Sequence, residues 1–396
     1  MKRRKFIVKG GLAAATVMAG TSVLASVGRK WGANDIINIG VIGTGDRGGG
    51  LIPILNQIEG VNVAACCDVL PFRLESALSK TNNKADSYTD YRELLDNGDI
   101  DAVLIATPFN SHGKIAMDAI ENGKHIYCEK TMAKGYTGIN DLVQKANASS
   151  KIFQTGHQYH SSRLYSHVVD MINNGEIGKL SSFECQWNRN GNWRRTVSDP
   201  SLERQINWRM YREYSGGLTA ELCSHQIDFV NWVLGENPNK IMGTGGIDYW
   251  KDGRETFDNV HLLYDYPSGV KASFTCLTSN AQGDYLIKIN GDKGTIVLDY
   301  TKAWIYYEKG YEKEMADVDG VSGATVNSYS QGKGSPIKME HNDPSKQALI
   351  DFRDCIIDNK TPISNVQSGA NTAIAVQMSL DAMINSEIKT WGGTMI

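Results

Sequence analysis

The sequence predicts an α/β chain: a doubly wound parallel sheet, followed by an α+β domain built on a mainly antiparallel, open sheet. Three observations predict it. An apolar run, Ile36 to Ile42, ends in Gly43-Thr44-Gly45-Asp46-Arg47-Gly48 and passes into a helix-like segment. Strand-like and helix-like segments then alternate to about residue 156, as parallel strands with helical crossovers do. Beyond residue 157, apolar residues alternate singly with polar ones between hairpin turns, as half-buried antiparallel strands do.

The glycine run makes a specific physical demand. The first glycine permits a tight turn, the second lets backbone approach a pyrophosphate, and the third lets helix and strand pack closely. The helix N-terminus offers unpaired N–H groups and partial positive charge to phosphates. Such a turn alone is weak evidence, because glycine turns are common. Here a second strand, Val61 to Cys67, ends at Asp68, twenty residues past Gly48. A carboxylate there can accept hydrogen bonds from an adenosine ribose. Together these features predict a dinucleotide site of the Rossmann kind, with Gly43, Gly45, Asp46, Arg47, Gly48 and Asp68 as binding residues. Asp68 favours NAD over NADP, since a 2′-phosphate would be repelled; nearby Arg73 pulls the other way.

The remaining elements of this domain, residues 34–156, follow in order. Pro71 opens a helix to about Leu78. Ala85 to Tyr88 is a short strand, and Tyr91 to Leu95 a helix that stops at Asn97-Gly98. Ala102 to Ile105 is a buried strand ending at Thr107-Pro108. Lys114 to Ile120 is a helix closed by Asn122-Gly123, His125 to Cys128 a strand, Ile139 to Ala148 a helix, and Lys151 to Thr155 the last strand. Ligands of such sheets lie beyond the carboxyl ends of the strands. Gly43, Asp68, Thr107-Pro108 and Glu129-Lys130 should therefore face one crevice.

The bulk numbers exclude several classes. The 396 residues suffice for two domains, and 41% hydrophobic with 21% charged residues is ordinary for a globular protein. Residues 1–30 read as a signal segment and linker. The first 25 hold five Lys or Arg and no acid, leaving 36 basic against 44 acidic residues in the rest, which argues against a nucleic-acid partner. Met1 to Lys9 forms a charged region, a mildly apolar run follows to Ala25, and Val23-Leu24-Ala25 offers a cleavage site. Arg3-Arg4 with Phe6 and Lys9 resembles a twin-arginine signal, although Lys2 stands where Ser or Thr is usual. That implies the twin-arginine machinery as a partner and a periplasmic destination; an ordinary secretory signal or anchor is the alternative. Gly10, Gly11 and Gly20 disfavour a stable membrane span. The seven cysteines have no C-x-x-C pair, so neither a metal site nor a disulfide framework is predicted, and Cys66 and Cys67 read as strand residues.

In the second domain, residues 157–396, Phe183, Cys185 and Trp187 mark one strand. Asn259 to Tyr266 and Val270 to Thr278 form a hairpin, as do Tyr285 to Ile289 and Thr295 to Tyr300. Residues 310–340 read as a long loop near the site. Residues 345–358 and 366–385 read as helices that close this domain.

Two places carry the chemistry. Lys130 stands at a strand end, where burial and a cationic nicotinamide would lower its pKa and let it steer a hydroxyl or relay a proton; an ordinary surface lysine is the competing reading. Glu221 and His225 are four apart, on one helical face if the segment is α-helical, so the carboxylate could orient the imidazole and raise its basicity. An ordinary helix pair competes with this. Tyr159 and His157, just after the last strand of the first domain, are substrate-binding candidates. So are Trp193, Arg194 and Tyr211, since aromatics can stack on sugar faces and Arg can hold hydroxyls; a packed interface would use the same residues.

Ala106-Thr107-Pro108-x-x-x-His112 and Gly123-Lys124-His125-Ile126-Tyr127-Cys128-Glu129-Lys130 resemble the Gfo/Idh/MocA family of sugar and cyclitol oxidoreductases. The resemblance implies that Thr107, Pro108, Glu129 and Lys130 meet the cofactor, Glu129 at the nicotinamide ribose and Lys130 beside the reacting carbon. The usual Glu-Lys-Pro is here Glu129-Lys130-Thr131, which keeps both polar groups but not the rigid turn. Tyr214 to Asp228 resembles the family's Gly-Gly…Asp-x-x-x-His, with His225 as the base and Glu221 where Asp is usual. It also implies an antiparallel sheet covering the nicotinamide end of the cofactor and pairing copies into a homo-oligomer. The expectation is an exported, NAD-dependent oxidoreductase of a sugar, glycoside or cyclitol hydroxyl, with tightly held cofactor. An NAD-dependent glycosidase working by transient oxidation is the alternative, and a non-catalytic sugar or nucleotide binder a third.

Overall fold

The computed structural model describes residues 35–311 and 334–392. The predicted signal segment and most of the predicted 310–340 loop lie outside them. The first sheet holds six parallel strands: β1 (Ile37–Ile42), β2 (Val61–Cys67), β3 (Asp86–Tyr88), β4 (Ala102–Ile105), β5 (His125–Cys128) and β6 (Phe153–Thr155). Their order, β3-β2-β1-β4-β5-β6, reverses direction between β1 and β4, which is where such folds open a ligand crevice. The helices are α1 (Asp46–Leu55), α2 (Pro71–Leu78), α3 (Tyr91–Asp96), α4 (His112–Glu121) and α5 (Tyr136–Asn147). β4 and β5 are buried along their whole length because helices cover both faces, so they are continuously apolar rather than alternating. The ten residues of α1 include Gly48 to Gly50 and Pro53, a poor helical composition; burial of Leu51, Ile52 and Leu55 against the sheet overrides it.

The second sheet runs β14-β13-β12-β11-β7-β10-β9-β8-β15. Its strands are β7 (Leu180–Asn188), β8 (Lys240–Gly246), β9 (Asn259–Asp265), β10 (Lys271–Leu277), β11 (Tyr285–Gly291), β12 (Gly294–Leu298), β13 (Ala303–Tyr307), β14 (Ser335–Ile337) and β15 (Lys389–Thr390). Neighbours are antiparallel except β7 and β10, which are parallel. Phe183, Cys185, Ile287 and Phe274 point inward, under α6 (Arg163–Asn173), α8 (Ser224–Leu234) and α10 (Val366–Asn385), and join a core continuous with α4 and α5. A short helix, α7 (Glu203–Ile206), lies in the long excursion between β7 and α8.

Two expectations are corrected. Ser335–Ile337 pairs with β13 as an edge strand where a loop was predicted. Helix α9 (Pro344–Asp358) does not close the second domain. Its stripe of Ala348, Leu349, Phe352 and Ile356 packs in the other core, against the first sheet and α1. The Phe352 and Tyr127 rings lie 5.8 Å apart, and Gln154 Nε2 donates to the Ala348 carbonyl at 2.7 Å. The physical reason is that one face of the first sheet would otherwise be uncovered beside α1.

Candidate active site

The turn after β1 is built as the glycines require. Gly43 has φ +86°, and a Cβ there would lie 2.7 Å from the Ala106 backbone. A Cβ on Gly48 would lie 1.9 Å from the Gly43 carbonyl oxygen. Gly45 faces the Arg73 guanidinium, 3.3 Å from where its Cβ would be. Asp68, at the end of β2, accepts from the Thr44 amide at 2.8 Å and the Leu70 amide at 2.9 Å, which anchors its carboxylate beside the turn. Arg47 Nε donates to Glu129 Oε1 at 2.7 Å, while its buried NH2 has no partner. Asp46 pairs with Arg195 of the second domain at 2.7 Å. Glu129 packs so closely on Gly156 that a Cβ there would lie 2.9 Å from its carboxyl. This cradle, with its uncapped helix N-terminus and partnerless guanidinium nitrogen, fits a dinucleotide pyrophosphate.

Thr107 and Pro108 follow β4. His112 lies between the Thr107 and Thr131 carbonyl oxygens, at 2.8 and 2.9 Å, and ties the two strand ends together. The Lys130–Thr131 peptide, at the position where the family pattern has Pro, is cis. Lys130 leaves the end of β5 and crosses to the second domain, where Nζ donates to the carbonyls of Glu221 at 2.9 Å and Ala220 at 3.3 Å. Burial lowers its pKa, opposed by Glu221 and Glu129.

The segment carrying Glu221 is not α-helical. Thr219–Cys223 forms a π turn before α8 begins at Ser224. It follows Gly216 and Gly217, where a Cβ would crowd Ala220 at 2.7 Å and Thr256 at 3.0 Å, the latter glycine with φ +57°. Such wide turns displace side chains from the α-helical register and are frequent at functional sites. The expected Glu221–His225 partnership is accordingly corrected. Glu221 accepts from Arg209 Nε at 2.9 Å, and Nδ1 of His225 has no partner.

His225 is 7% exposed and enclosed by aromatic rings. Centroids of Tyr159, Trp187 and His157 lie at 5.4, 5.6 and 6.0 Å. Burial first, then Lys130 and His157, pushes its pKa well below the ordinary value. The lowered pKa favours the neutral ring, the form that can accept a proton. Tyr159 stacks on Tyr165 at 4.5 Å. Trp193 has φ +62° and lies under the Arg189 guanidinium, which also covers Trp187. Arg194 and Tyr211, expected to meet substrate, are instead both taken up by Glu203, and Arg194 also bonds Asp252; they brace the excursion between β7 and α8. Trp187, Tyr285 and Tyr300, which form an aromatic wall beside His225, were not singled out. Trp187 showed only as an alternating strand residue.

The crevice thus joins a dinucleotide turn, a lysine and a neutral imidazole, which defines an NAD-binding oxidoreductase of two-domain form. Residues 37–157 match the family described as oxidoreductase family, NAD-binding Rossmann fold, and residues 165–297 match the GFO/IDH/MocA C-terminal domain. The chain belongs to the Gfo/Idh/MocA family. It is 27% identical over 266 residues to 2,7-anhydro-N-acetylneuraminate hydratase of Escherichia coli, covering 67% of this chain and 68% of that one. It is 24% identical over 268 residues to myo-inositol 2-dehydrogenase of Thermotoga maritima, covering 66% and 75%. Aldose-aldose oxidoreductase from Caulobacter crescentus has the same fold, with a TM-score of 0.70 at 18% identity over 90% of this chain and all of that one.

Proposed function

We propose that the protein oxidises a secondary hydroxyl of a sugar, glycoside or cyclitol, and that it does so outside the cytoplasm with its cofactor tightly held. The observation that carries this reading is that Lys130 of the first domain bonds the very turn of the second that leads into His225. Asp68, Arg47, Glu129 and the turn Gly43 to Gly48 would hold the dinucleotide, which when bound supplies the hydride acceptor. His225, neutral, takes the hydroxyl proton. Lys130 gives two N–H bonds to carbonyls and, as an ammonium, has a third for the substrate oxygen. Tyr159, Trp193 and the wall of Trp187 and Tyr300 would bound the sugar, whereas His157, expected to meet substrate, is fully buried behind His225. A myo-inositol dehydrogenase among the relatives supports a polyol substrate.

A second reading is supported by the hydratase among the relatives, a reaction without net oxidation. In it the same residues oxidise the sugar transiently, an elimination follows, and reduction restores the carbon, as an NAD-dependent glycosidase would. Export rests on the Arg3-Arg4 pattern; because free dinucleotide is scarce outside the cytoplasm, it implies a retained cofactor. Association of copies through the open face of the second sheet belongs to this proposal, supported by exposed Leu263 on β9. The test is to purify the exported protein, denature it and assay released NAD(H). Incubation with sugars and aryl glycosides then separates the readings: net oxidation changes nicotinamide absorbance, whereas the second reading releases aglycone without it. Absence of both, with no NAD(H) released, would overturn the proposal.

A further inference from the structure

Beneath His225 lies a buried polar string that the proposed reaction leaves unused. Asp228, on α8, is 4% exposed, and His157, just past β6, is fully buried. Oδ2 of Asp228 accepts from His160 Nε2 at 2.8 Å, and Oδ1 accepts from Thr372 Oγ1 of α10 at 3.1 Å. The same Oδ1 lies 3.6 Å from His157 Nδ1, and Thr155 Oγ1 lies 3.4 Å from it. His160 meets Asp228 directly, and among the described residues no cluster could hold a metal ion. The His157 ring stands edge-on to His225, 88° between planes.

Among the described residues, three histidine ring nitrogens, Nε2 of His157, Nδ1 of His160 and Nδ1 of His225, are buried without a partner, and the first and last belong to the two rings that meet edge-on. A buried polar group left unsatisfied is destabilising, because it has given up water for nothing. Neither nitrogen is within hydrogen-bond distance of the other, but adjoining imidazoles can satisfy each other through one bridging water when one donates and the other accepts. No carboxylate bonds His225, because Glu221 is held by Arg209. The charged and titratable groups facing His225 are Lys130, His157, Arg47, Arg189 and Tyr159; those facing His157 are Asp228, His160, Lys130 and Glu129. Of the two carboxylates facing His157, Glu129 is paired with Arg47, so Asp228, 3.6 Å from Nδ1, is the one left to support the ring.

We propose that His157, seated on Asp228, is the positioning residue of His225: through one bridging water it accepts from the Nδ1–H of His225 and leaves Nε2 of His225 as the base facing the crevice. The proposal rests on His225 being the base. When Nε2 takes the substrate proton, the Nδ1–H keeps its bond through that water to His157, whose own Nδ1–H faces the Asp228 carboxylate. One O–H bond breaks, one N–H bond forms, and the new positive charge is offset from within the protein. This is the service that sequence spacing assigned to Glu221.

Nitrogen NMR of histidine-labelled protein, with the His225 signals assigned by substitution, reads the tautomer without any substrate. The wild type is expected to show His225 protonated at Nδ1. In His157→Phe and Asp228→Asn the Nε2–H form should become populated, and the acid limb of the pH–rate profile should move to lower pH, since the imidazolium loses its support. Thr372→Val, which removes one bond to Asp228 without touching a ring, should shift the same signals less and serves if Asp228→Asn does not fold. A wild-type His225 protonated at Nε2, or a tautomer unchanged in His157→Phe, overturns the proposal. Retained turnover in His225→Gln would instead overturn the base assignment, whatever the tautomer shows.

Discussion

Lys130 Nζ donates to the backbone carbonyl of Glu221 at 2.9 Å, so the first domain's amine is bonded to the π turn that leads into the second domain's imidazole. The contact fixes where the two chemical groups meet, and it makes each domain part of the other's site.

Lys130→Met should lower turnover by about 10²- to 10⁴-fold, the range for loss of a positioned proton-handling group. NADH affinity, read by fluorescence titration, should change only a few-fold, because the phosphate turn is untouched. Turnover within tenfold of wild type would remove Lys130 from the chemistry.

Asp68→Ser should relax the preference for NAD over NADP by about tenfold or more, one charge-assisted hydrogen bond and one repulsion being lost. Arg73, already against Gly45, would meet the added phosphate. Because Asp68 also accepts from Thr44 and Leu70, some loss of thermal stability should accompany the change. Binding titrations with both dinucleotides check it; an unaltered ratio counts against Asp68 as the selector.

Two glycines of one helix should behave oppositely on mutation to alanine. Gly48→Ala places a methyl 1.9 Å from a backbone oxygen, so it should destabilise by about 1–3 kcal/mol and impair NADH binding. Gly50 has nothing within 4 Å of its Cβ position, so Gly50→Ala should stabilise by up to about 1 kcal/mol. Thermal melts of both variants, with and without NADH, give the answer.

Acid should weaken the fold through buried histidines. His125 Nδ1 accepts from the Ile152 amide at 3.0 Å, which requires the neutral ring, and burial depresses its pKa to about 4. The unfolded chain therefore binds the proton first. Stability is full above the unfolded value, near 6.5, and declines as pH falls towards 4. At pH 5 this one ring should cost on the order of 2 kcal/mol. His125→Asn keeps an acceptor and loses the titration, so its unfolding free energy should depend less on pH. Equal pH dependence in both proteins would refute the assignment.

Much of the first domain was legible because local and tertiary demands agree there. Val61–Cys67, Ala102–Ile105 and His125–Cys128 are buried on both faces, so apolar runs mark their ends without ambiguity. Helix ends were shifted where partners or turn geometry decide: Tyr136 starts α5 three residues before the first periodic apolar position, after Gly135 with φ +77°. The π turn was not legible, since four-residue spacing reads as α-helix and its widening depends on Gly217, Thr256 and Lys130, remote in sequence. Asp228 escaped notice for a related reason. Its partners, His157 and His160 in one segment and Thr372 in another, come from two other places in the chain, and only folding brings them to it.

Helix α9 has a consequence for how the molecule must be made. Arg47, in the turn after β1, bonds Ser345 at the start of that helix, and Phe352 caps Tyr127. The nucleotide half is thus stitched from segments 298 residues apart. A nascent chain cannot complete it until Asp358 has left the ribosome, and a clone ending at residue 156 would present an apolar sheet face to water. Loading of the dinucleotide is therefore a late event, belonging to the finished molecule rather than to its first half.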